Sequence, residues 1–189
     1  MRSPLLARLR QDTAQAHAAL EDAFDLETVM SGPHAARRVL ERFYGFHVVW
    51  EGALARSDLA GFAAARSRLP HLRADLEALG LTPDALAALP RCEAAARLPA
   101  TRAGAVGSLY VMEGSTLGGQ VVSRALAAAA WAPAAGLTYF NPYGPDTGPR
   151  WRAFMDWASQ AAAGDDPRVV ADRANETFGM LQGWLTEAA

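Results

Sequence analysis

Residues 110–126 read YVMEGSTLGGQVVSRAL and lie inside the longest helical pattern of the sequence, residues 101–130. The stretch contains Gly114, Gly118 and Gly119, although each glycine in a helix interior costs about 1 kcal/mol relative to alanine. Some tertiary requirement must therefore offset about 3 kcal/mol of lost helix propensity. Two requirements could do so: close packing against another helix, or a backbone that must approach a flat ligand without Cβ atoms in the way. The glycines alone leave both open.

The length of this helical pattern is a second unusual feature. A straight helix over residues 101–130 would measure about 45 Å, whereas a compact chain of this size has a radius of gyration of only about 16 Å. We therefore expect the helix to bend, and the glycines lie where a bend is needed.

The rest of the sequence also has helical periodicity. Ser3 and Pro4 are typical of an N-cap and a first helical position, and predict a helix that runs to about residue 24. A second helix is predicted after Gly32 and Pro33, with five residues facing the core: Leu40, Phe43, His47, Trp50 and Leu54. Further helices are expected at 58–69, 71–79, 83–89 and 150–162, and after the cap residue Asp166. Residues 131–151 form a long irregular segment rich in proline and glycine. Since no segment alternates like a strand, the fold class is predicted to be all-α.

Composition excludes several classes of protein. With 189 residues, 51% of them hydrophobic, the chain is expected to form one domain over residues 1–189. The net charge of -2 argues against nucleic-acid binding.

The single cysteine, Cys92, cannot form an intramolecular disulfide. Arginines at positions 2, 8 and 10 interrupt any apolar core of a signal peptide. Without a run of about 20 apolar residues, the chain is expected to be cytoplasmic and to have no membrane segment.

The four histidines do not form a zinc pattern, but His17 has a suitable neighbour. Glu21 lies one helical turn later, where its carboxylate can accept the Nδ1 proton of the imidazole and leave Nε2 for a metal. The alternative is a partly buried structural histidine paired with a helix neighbour. His47, among aromatic residues, is interpreted as a core histidine, and His34 and His71 as surface or capping residues.

Five sequence segments together resemble the haem oxygenase family, specifically its biliverdin-producing bacterial branch. The first two are TAQAHAALE at 13–21 and GSLYVMEGSTLGGQVVSRAL at 107–126, where EGSTLGGQ is the most specific part. The other three are RFYGFHVVWEGAL at 42–54, YGPDTGPRWRAF at 143–154 and ANETFGMLQGWL at 174–185. The resemblance covers nearly the whole chain.

This resemblance implies a single all-α domain with haem between a proximal helix and a kinked distal helix. His17 would be the proximal ligand of the haem iron, and Glu21 would accept its Nδ1 proton. Gly114, Gly118 and Gly119 would bring the distal backbone against the porphyrin face, which accounts for a helix with three glycines.

The resemblance also suggests roles for other residues. Ser115 occupies the position of a distal Asp in well-studied members, so Ser115 and Thr116 with water would organise the hydrogen bonds over the haem. Arg10 lies seven residues before His17, about 10 Å along the same helix face, which suits a haem propionate. Arg152 is a second candidate partner of a propionate, and Phe178 in the C-terminal segment is a candidate haem contact.

The implied activity is oxidative cleavage of haem b, both cofactor and substrate, to biliverdin, CO and iron with O2 and electrons. The implied electron donor is a ferredoxin or flavoprotein reductase, whose docking surface could include Arg124. The implied acceptor of biliverdin is a bacteriophytochrome. The protein is expected to be a monomer. Asp156 stands where some relatives have a basic propionate contact, so the ring position cleaved stays open. One alternative is a non-catalytic haem carrier or sensor on the same fold. Another is a thiamine-degrading helical enzyme, for which Cys92 is poorly placed.

Overall fold

The computed structural model describes residues 4–134 and 137–187. Within them it contains α-helices, two short 3-10 helices and no β-strand, which confirms the predicted all-α fold class. The α-helices are α1 Pro4–Asp12, α2 Ala14–Ala23, α3 Leu26–Met30, α4 Pro33–Leu54, α5 Ala60–Ala64, α6 Leu69–Ala78, α7 Pro83–Ala87, α8 Arg102–Ala127, α9 Thr147–Ala161 and α10 Pro167–Thr186. The 3-10 helices are Glu93–Arg97 and Gly144–Asp146. The predicted N-cap Ser3 lies outside the described residues.

The first predicted helix is divided at Thr13 into α1 and α2. The Thr13 side chain is buried, and its Oγ1 donates a hydrogen bond of 2.8 Å to the carbonyl of Leu9, a contact that often bends helices. Backbone hydrogen bonds continue across the break, from Thr13 N to Leu9 O and from His17 N to Thr13 O. α2 therefore follows directly on α1, but it carries no buried residue.

α4 confirms the prediction from Gly32 and Pro33, because the helix begins at Pro33. Four of the five residues predicted to face the core are buried and Phe43 is half-buried; the buried ones are Leu40, His47, Trp50 and Leu54. α10 begins at Pro167 as predicted, and the side chain of Asp166 caps it by accepting from the backbone N–H of Arg168 at 2.9 Å.

α8 is one uninterrupted helix of 26 residues that begins after Thr101. The Thr101 hydroxyl caps it by accepting from the N–H of Gly104 at 3.1 Å. A Cβ atom on Gly107 would lie 2.7 Å from the carbonyl oxygen of Val170, so this glycine allows α10 to pack closely on α8. Since α10 also packs on α1 and α2, it supports both the predicted proximal helix and the predicted distal helix.

The irregular segment after α8 is fixed by a buried carboxylate. Asp75 on α6 accepts from the N–H groups of Thr138 and Tyr139, with Oδ2 2.7 Å from Tyr139 N. Burial raises the pKa of Asp75, and these hydrogen bonds partly offset that shift. The adjacent Phe140 packs in a core formed by α4, α6 and the end of α8. Among the described residues, no helix combines the length and apolarity needed to cross a membrane.

Candidate functional site

Two elements bound the main candidate site: α2, which carries His17, and residues 110–119 of α8; the region between them is called the slot. α2 packs on α10 and has few contacts with α8. At its N-terminal end, Thr13 lies beside the phenol of Tyr110 on α8. At its C-terminal end, Phe24 packs edge-on against Phe140, with ring centroids 5.9 Å apart, and the Phe140 carbonyl lies over Gly119. α2 therefore runs beside the glycine-rich part of α8 and is held to it mainly at the two ends.

His17 lies on α2 with its side chain 51% exposed. Its Nδ1 is 3.3 Å from Oε2 of Glu21, so the structure brings these two predicted residues together at ion-pair distance. The imidazole also packs edge-on against Phe178 of α10, with ring centroids 5.6 Å apart. Among the described residues, Nε2 of His17 has no hydrogen-bond partner. The imidazole is thus oriented on two sides, and its other nitrogen can act as a metal ligand.

The three glycines in residues 110–126, Gly114, Gly118 and Gly119, have different surroundings. A Cβ atom on Gly118 would have no neighbour within 4 Å, and one on Gly114 would make only ordinary contacts with Trp151, at 3.7 Å or more. A Cβ atom on Gly119 would lie 2.1 Å from the carbonyl oxygen of Phe140. Protein packing therefore explains Gly119 but neither Gly114 nor Gly118. For Gly119 this departs from the expectation that all three glycines serve a ligand.

An exposed apolar stripe accompanies the two unexplained glycines. The side chains of Leu117 and Val121 are 41% and 55% exposed, and only one other large apolar residue of the described part, Val169, is comparably exposed. With Gly114 and Gly118 they follow the i, i+3, i+4, i+7 spacing of a single helix face. Exposed apolar surface of this kind is typical of a binding site. The spacing is visible in the sequence, but Leu117 and Val121 were not predicted to belong to the site.

The two predicted distal hydroxyls bond to their own helix. Ser115 is exposed, and its Oγ donates to the carbonyl of Met112 at 2.8 Å. Thr116 is buried, and its Oγ1 donates to the carbonyl of Glu113 at 2.7 Å. Thr116 therefore faces the interior, contrary to the expectation that it contacts the ligand. Ser115 remains accessible and can accept a hydrogen bond through its lone pairs.

The Tyr110 end of the slot carries positive charge. Burial raises the pKa of Tyr110, while the Thr13 hydroxyl and the positive charge of Arg10 oppose that shift, which places Arg10 near this phenol. Tyr110 also packs against Trp151, with ring centroids 5.7 Å apart, and Arg152 follows in the chain. Both arginines are exposed. Arg10 thus lies near the Tyr110 end of the slot, while the guanidinium of Arg152 lies beside Gly148 on α9. Tyr110 and Trp151 were not predicted from the sequence.

The other histidines have structural surroundings. His47 is buried, with Nδ1 2.9 Å from Glu51 Oε1 and Nε2 3.1 Å from Tyr139 Oη, which confirms the interpretation as a core histidine. His34 is exposed, and Nδ1 of His71 lies 3.0 Å from Thr138 Oγ1.

The only cysteine does not have the surroundings of a nucleophile. Cys92 is buried in the core, and burial raises the pKa of its thiol. A thiol of this kind is largely protonated at neutral pH and has no access to a substrate. The structure therefore gives no support to the cysteine-dependent alternative.

Taken together, the slot suits a flat, mainly apolar ligand that binds an imidazole nitrogen at its centre and carries anionic groups at one edge. Its donor set is one histidine nitrogen, which fits the single protein ligand of a haem iron. The open space over Gly118 is where the face of a flat ring can approach the helix backbone.

Comparisons with known proteins establish the family of this chain. The chain resembles a heme oxygenase from Xanthomonas campestris pv. campestris (strain 8004), with 38% identity over 111 residues. That match covers 58% of this chain and spans 62% of the relative's length. In fold it resembles heme oxygenase 2 from Chlamydomonas reinhardtii, solved without heme, with a TM-score of 0.73, 18% identity and 97% of each chain covered. The family model described as Heme oxygenase matches residues 3–187, and the chain therefore belongs to the haem oxygenase family.

Proposed function

We propose that this protein is a haem oxygenase that converts haem b to biliverdin, CO and iron with O2 and electrons from a redox partner. Haem is the substrate, and it also supplies the iron at which O2 is bound and reduced. The observation that carries the proposal is the slot in which His17 lies beside a helix face with two glycines that protein packing does not require.

In this proposal His17 binds the iron through Nε2. Glu21 keeps the Nδ1 proton in place, which fixes the tautomer and makes Nε2 more basic. Phe178 limits rotation of the imidazole by packing edge-on against it. A neutral histidine held in this way is the ligand type of globins and peroxidases, in contrast to the thiolate that promotes O–O cleavage in other haem enzymes.

The exposed face of α8 would lie on the other side of the ring from His17. Gly114 and Gly118 allow the backbone to approach the macrocycle, because neither places a side chain in the slot. Leu117 and Val121 would lose their solvent exposure on binding, which contributes about 25 cal/mol for each Å² of apolar area buried. Ser115 would accept a hydrogen bond from water at the edge of this face.

The propionates would bind at the Tyr110 end of the slot. Arg10 and Arg152 can each donate paired hydrogen bonds to a carboxylate. Asp156, one turn after Arg152 on α9, would repel a propionate at its own position. Binding of both propionates at this end would fix the rotation of the ring, and hence which carbon bridge lies nearest the oxygen site.

A hemin titration of wild type, His17→Ala and His34→Ala tests the proposal. The second variant removes an exposed histidine outside the slot. We expect a one-to-one Soret band in the wild type and in His34→Ala, and an altered or weaker band in His17→Ala. Addition of ascorbate in air should then bleach the wild-type band and produce biliverdin absorption. Absence of a specific band, or an identical band in all three proteins, would contradict the proposal.

The second candidate function is a haem carrier or sensor, and Ser115 is the observation that favours it. Its hydroxyl proton is donated to Met112 O, and it carries no charge with which to order distal water. A carrier would give the same Soret band and the same dependence on His17. It differs in the second step, since the band would survive reductant and O2, returning to the ferric spectrum without bile pigment.

We also propose that an acidic ferredoxin or flavoprotein delivers the electrons near the C-terminal end of α8. Arg124 is exposed there, with its guanidinium held by the carbonyl of Gln120. An Arg124→Glu variant should bind hemin normally and turn over normally with ascorbate, but should be slower with a ferredoxin and its reductase. Equal rates in the protein-driven assay would remove Arg124 from the docking surface.

A further inference from the structure

Glu113, the residue directly before Gly114, has a buried carboxylate that the proposed function does not use. Its side chain is 2% exposed. Oε1 accepts hydrogen bonds from Arg68 Nη2 at 3.1 Å and from Tyr143 Oη at 2.8 Å, and Oε2 lies 3.7 Å from Arg66 Nη1. A buried carboxylate is very costly unless it is paired and hydrogen-bonded. The pairing therefore fixes the position of residue 113 strongly.

The partners of Glu113 are themselves held in place. Arg68 is 4% exposed, and its backbone N–H donates to Glu51 Oε1 at 2.9 Å. Its guanidinium carbon lies 4.5 Å from the ring centroid of Tyr143. Through these contacts, residue 113 of α8 is connected to the segment 66–68, to α4 and to the loop before α9.

A second contact fixes α8 five residues after Gly114. The approach of the Phe140 carbonyl to Gly119 leaves no room for movement toward that loop. Phe140 follows Tyr139, whose N–H is bound by the buried Asp75. Between these two contacts lie residues 114–118, which include two glycines and contribute the exposed residues Ser115, Leu117 and Gly118 to the slot. Glycines lower the helix propensity of this part, so its position depends on the contacts at its ends.

We propose that Glu113 is a positioning residue that holds residues 114–118 at a fixed distance from α2 and thereby sets the width of the slot. The inference rests on the proposed function in so far as the slot is the haem site. Glu113 acts through the backbone of α8, since its carboxylate is enclosed by Arg66, Arg68 and Tyr143 on the buried side of the helix. Both the charge and the hydrogen bonds of Glu113 contribute to this positioning, because its carboxylate pairs with Arg66 and Arg68 and accepts from Arg68 and Tyr143.

Hydrogen exchange of the ligand-free chain, measured by mass spectrometry, tests the inference. Glu113→Gln removes the charge, and Tyr143→Phe removes one hydrogen bond while preserving the ring. Thr101→Ala is the matched control, because it removes the N-cap of the same helix far from the slot. We expect the amides of 114–118 to exchange about tenfold faster or more in Glu113→Gln, and several-fold faster in Tyr143→Phe. Thr101→Ala should affect only the first turn of α8.

Hemin dissociation into excess apomyoglobin gives the second measurement. It should be faster in Glu113→Gln and Tyr143→Phe than in wild type and in Thr101→Ala. If Glu113→Gln does not fold, Tyr143→Phe alone decides the result. Unchanged exchange of 114–118 in the folded variants, or an equal effect in Thr101→Ala, would overturn the inference. If wild type fails to bind hemin, the proposed function fails, while the exchange measurement still tests whether Glu113 holds 114–118.

Discussion

Alanine at Gly118 and alanine at Gly119 should have opposite effects on this protein, although the two residues are adjacent in one helix. At Gly118 a new Cβ has no neighbour within 4 Å, so the free chain should gain stability. The gain expected from helix propensity and a less flexible unfolded chain is about 0.5–1 kcal/mol. The same methyl group projects into the slot, where it should prevent the ring from approaching the backbone and weaken hemin binding.

At Gly119 the new Cβ would lie 2.1 Å from the Phe140 carbonyl, so the segment after α8 must move. Overpacking of this kind costs about 1–3 kcal/mol, which exceeds or cancels the gain of about 1 kcal/mol in helix propensity. We therefore expect a neutral to destabilised free chain. Hemin binding should be affected less than in Gly118→Ala, because the methyl group points away from the slot.

Urea unfolding of the ligand-free proteins and hemin titration of the folded proteins measure the two effects separately. The decisive result is the pairing in Gly118→Ala of higher stability with weaker hemin binding. If Gly118→Ala is more stable and binds hemin as tightly as wild type, the slot over Gly118 is not the haem site. If Gly119→Ala is stabilised as much as Gly118→Ala, the packing explanation for Gly119 is wrong.

Three further predictions concern the periphery of the site and the core. Arg10→Ala should weaken hemin binding several-fold, whereas the control Arg56→Ala, at another exposed arginine, should not. Hemin dimethyl ester has no free propionates, so with this ligand the two variants should bind equally. If the difference persists, Arg10 does not bind a propionate. Burial alone would raise the pKa of Glu51, but its hydrogen bonds and the charge of His47 hold it below its usual value. A carboxyl group with a lowered pKa stabilises the fold above its unfolded pKa, and this contribution is lost as the pH falls through its folded pKa. In Glu51→Gln the free energy of unfolding, measured in urea from about pH 7 to about pH 3.5, should therefore fall less steeply with decreasing pH than in wild type. An unchanged slope of free energy against pH would refute this. Cys92→Ser should lower the free energy of unfolding by about 1–3 kcal/mol because it buries a hydroxyl. The folded variant should still bind hemin and turn it over at the wild-type rate. Loss of turnover without loss of hemin binding would indicate a catalytic role for Cys92.

The helices that were predicted best have local start signals and long periodic faces. Pro33 and the pair Asp166–Pro167 mark the beginnings of α4 and α10 in the sequence, and the structure confirms both. The break at Thr13 was missed because threonine fits the periodic stripe of α1 and α2, and the hydroxyl bond to Leu9 leaves no trace in the pattern. α3 was not predicted, whereas α5 and α7, which also have five residues, lie within predicted helices.

The site was only partly predictable for a related reason. The pairing of His17 with Glu21 follows from the helical repeat, because both residues lie on α2. The surroundings of Gly119 depend on Phe140, and those of Glu113 depend on Arg68 and other residues distant in the chain. No local pattern specifies which distant segment will meet a given helix face. Sequence periodicity can identify a face, but tertiary packing decides what covers it.

The absence of buried residues in α2 should affect the lifetime of the protein. A helix with no buried residue should open more often than the rest of the chain, and the opened segment is a substrate for proteases. A ligand that binds the closed form raises the cost of opening with its concentration, and by about 2.7 kcal/mol at one hundred times its dissociation constant. If the chain binds haem as proposed, its amount should therefore follow the supply of haem, because the ligand-free chains are degraded first.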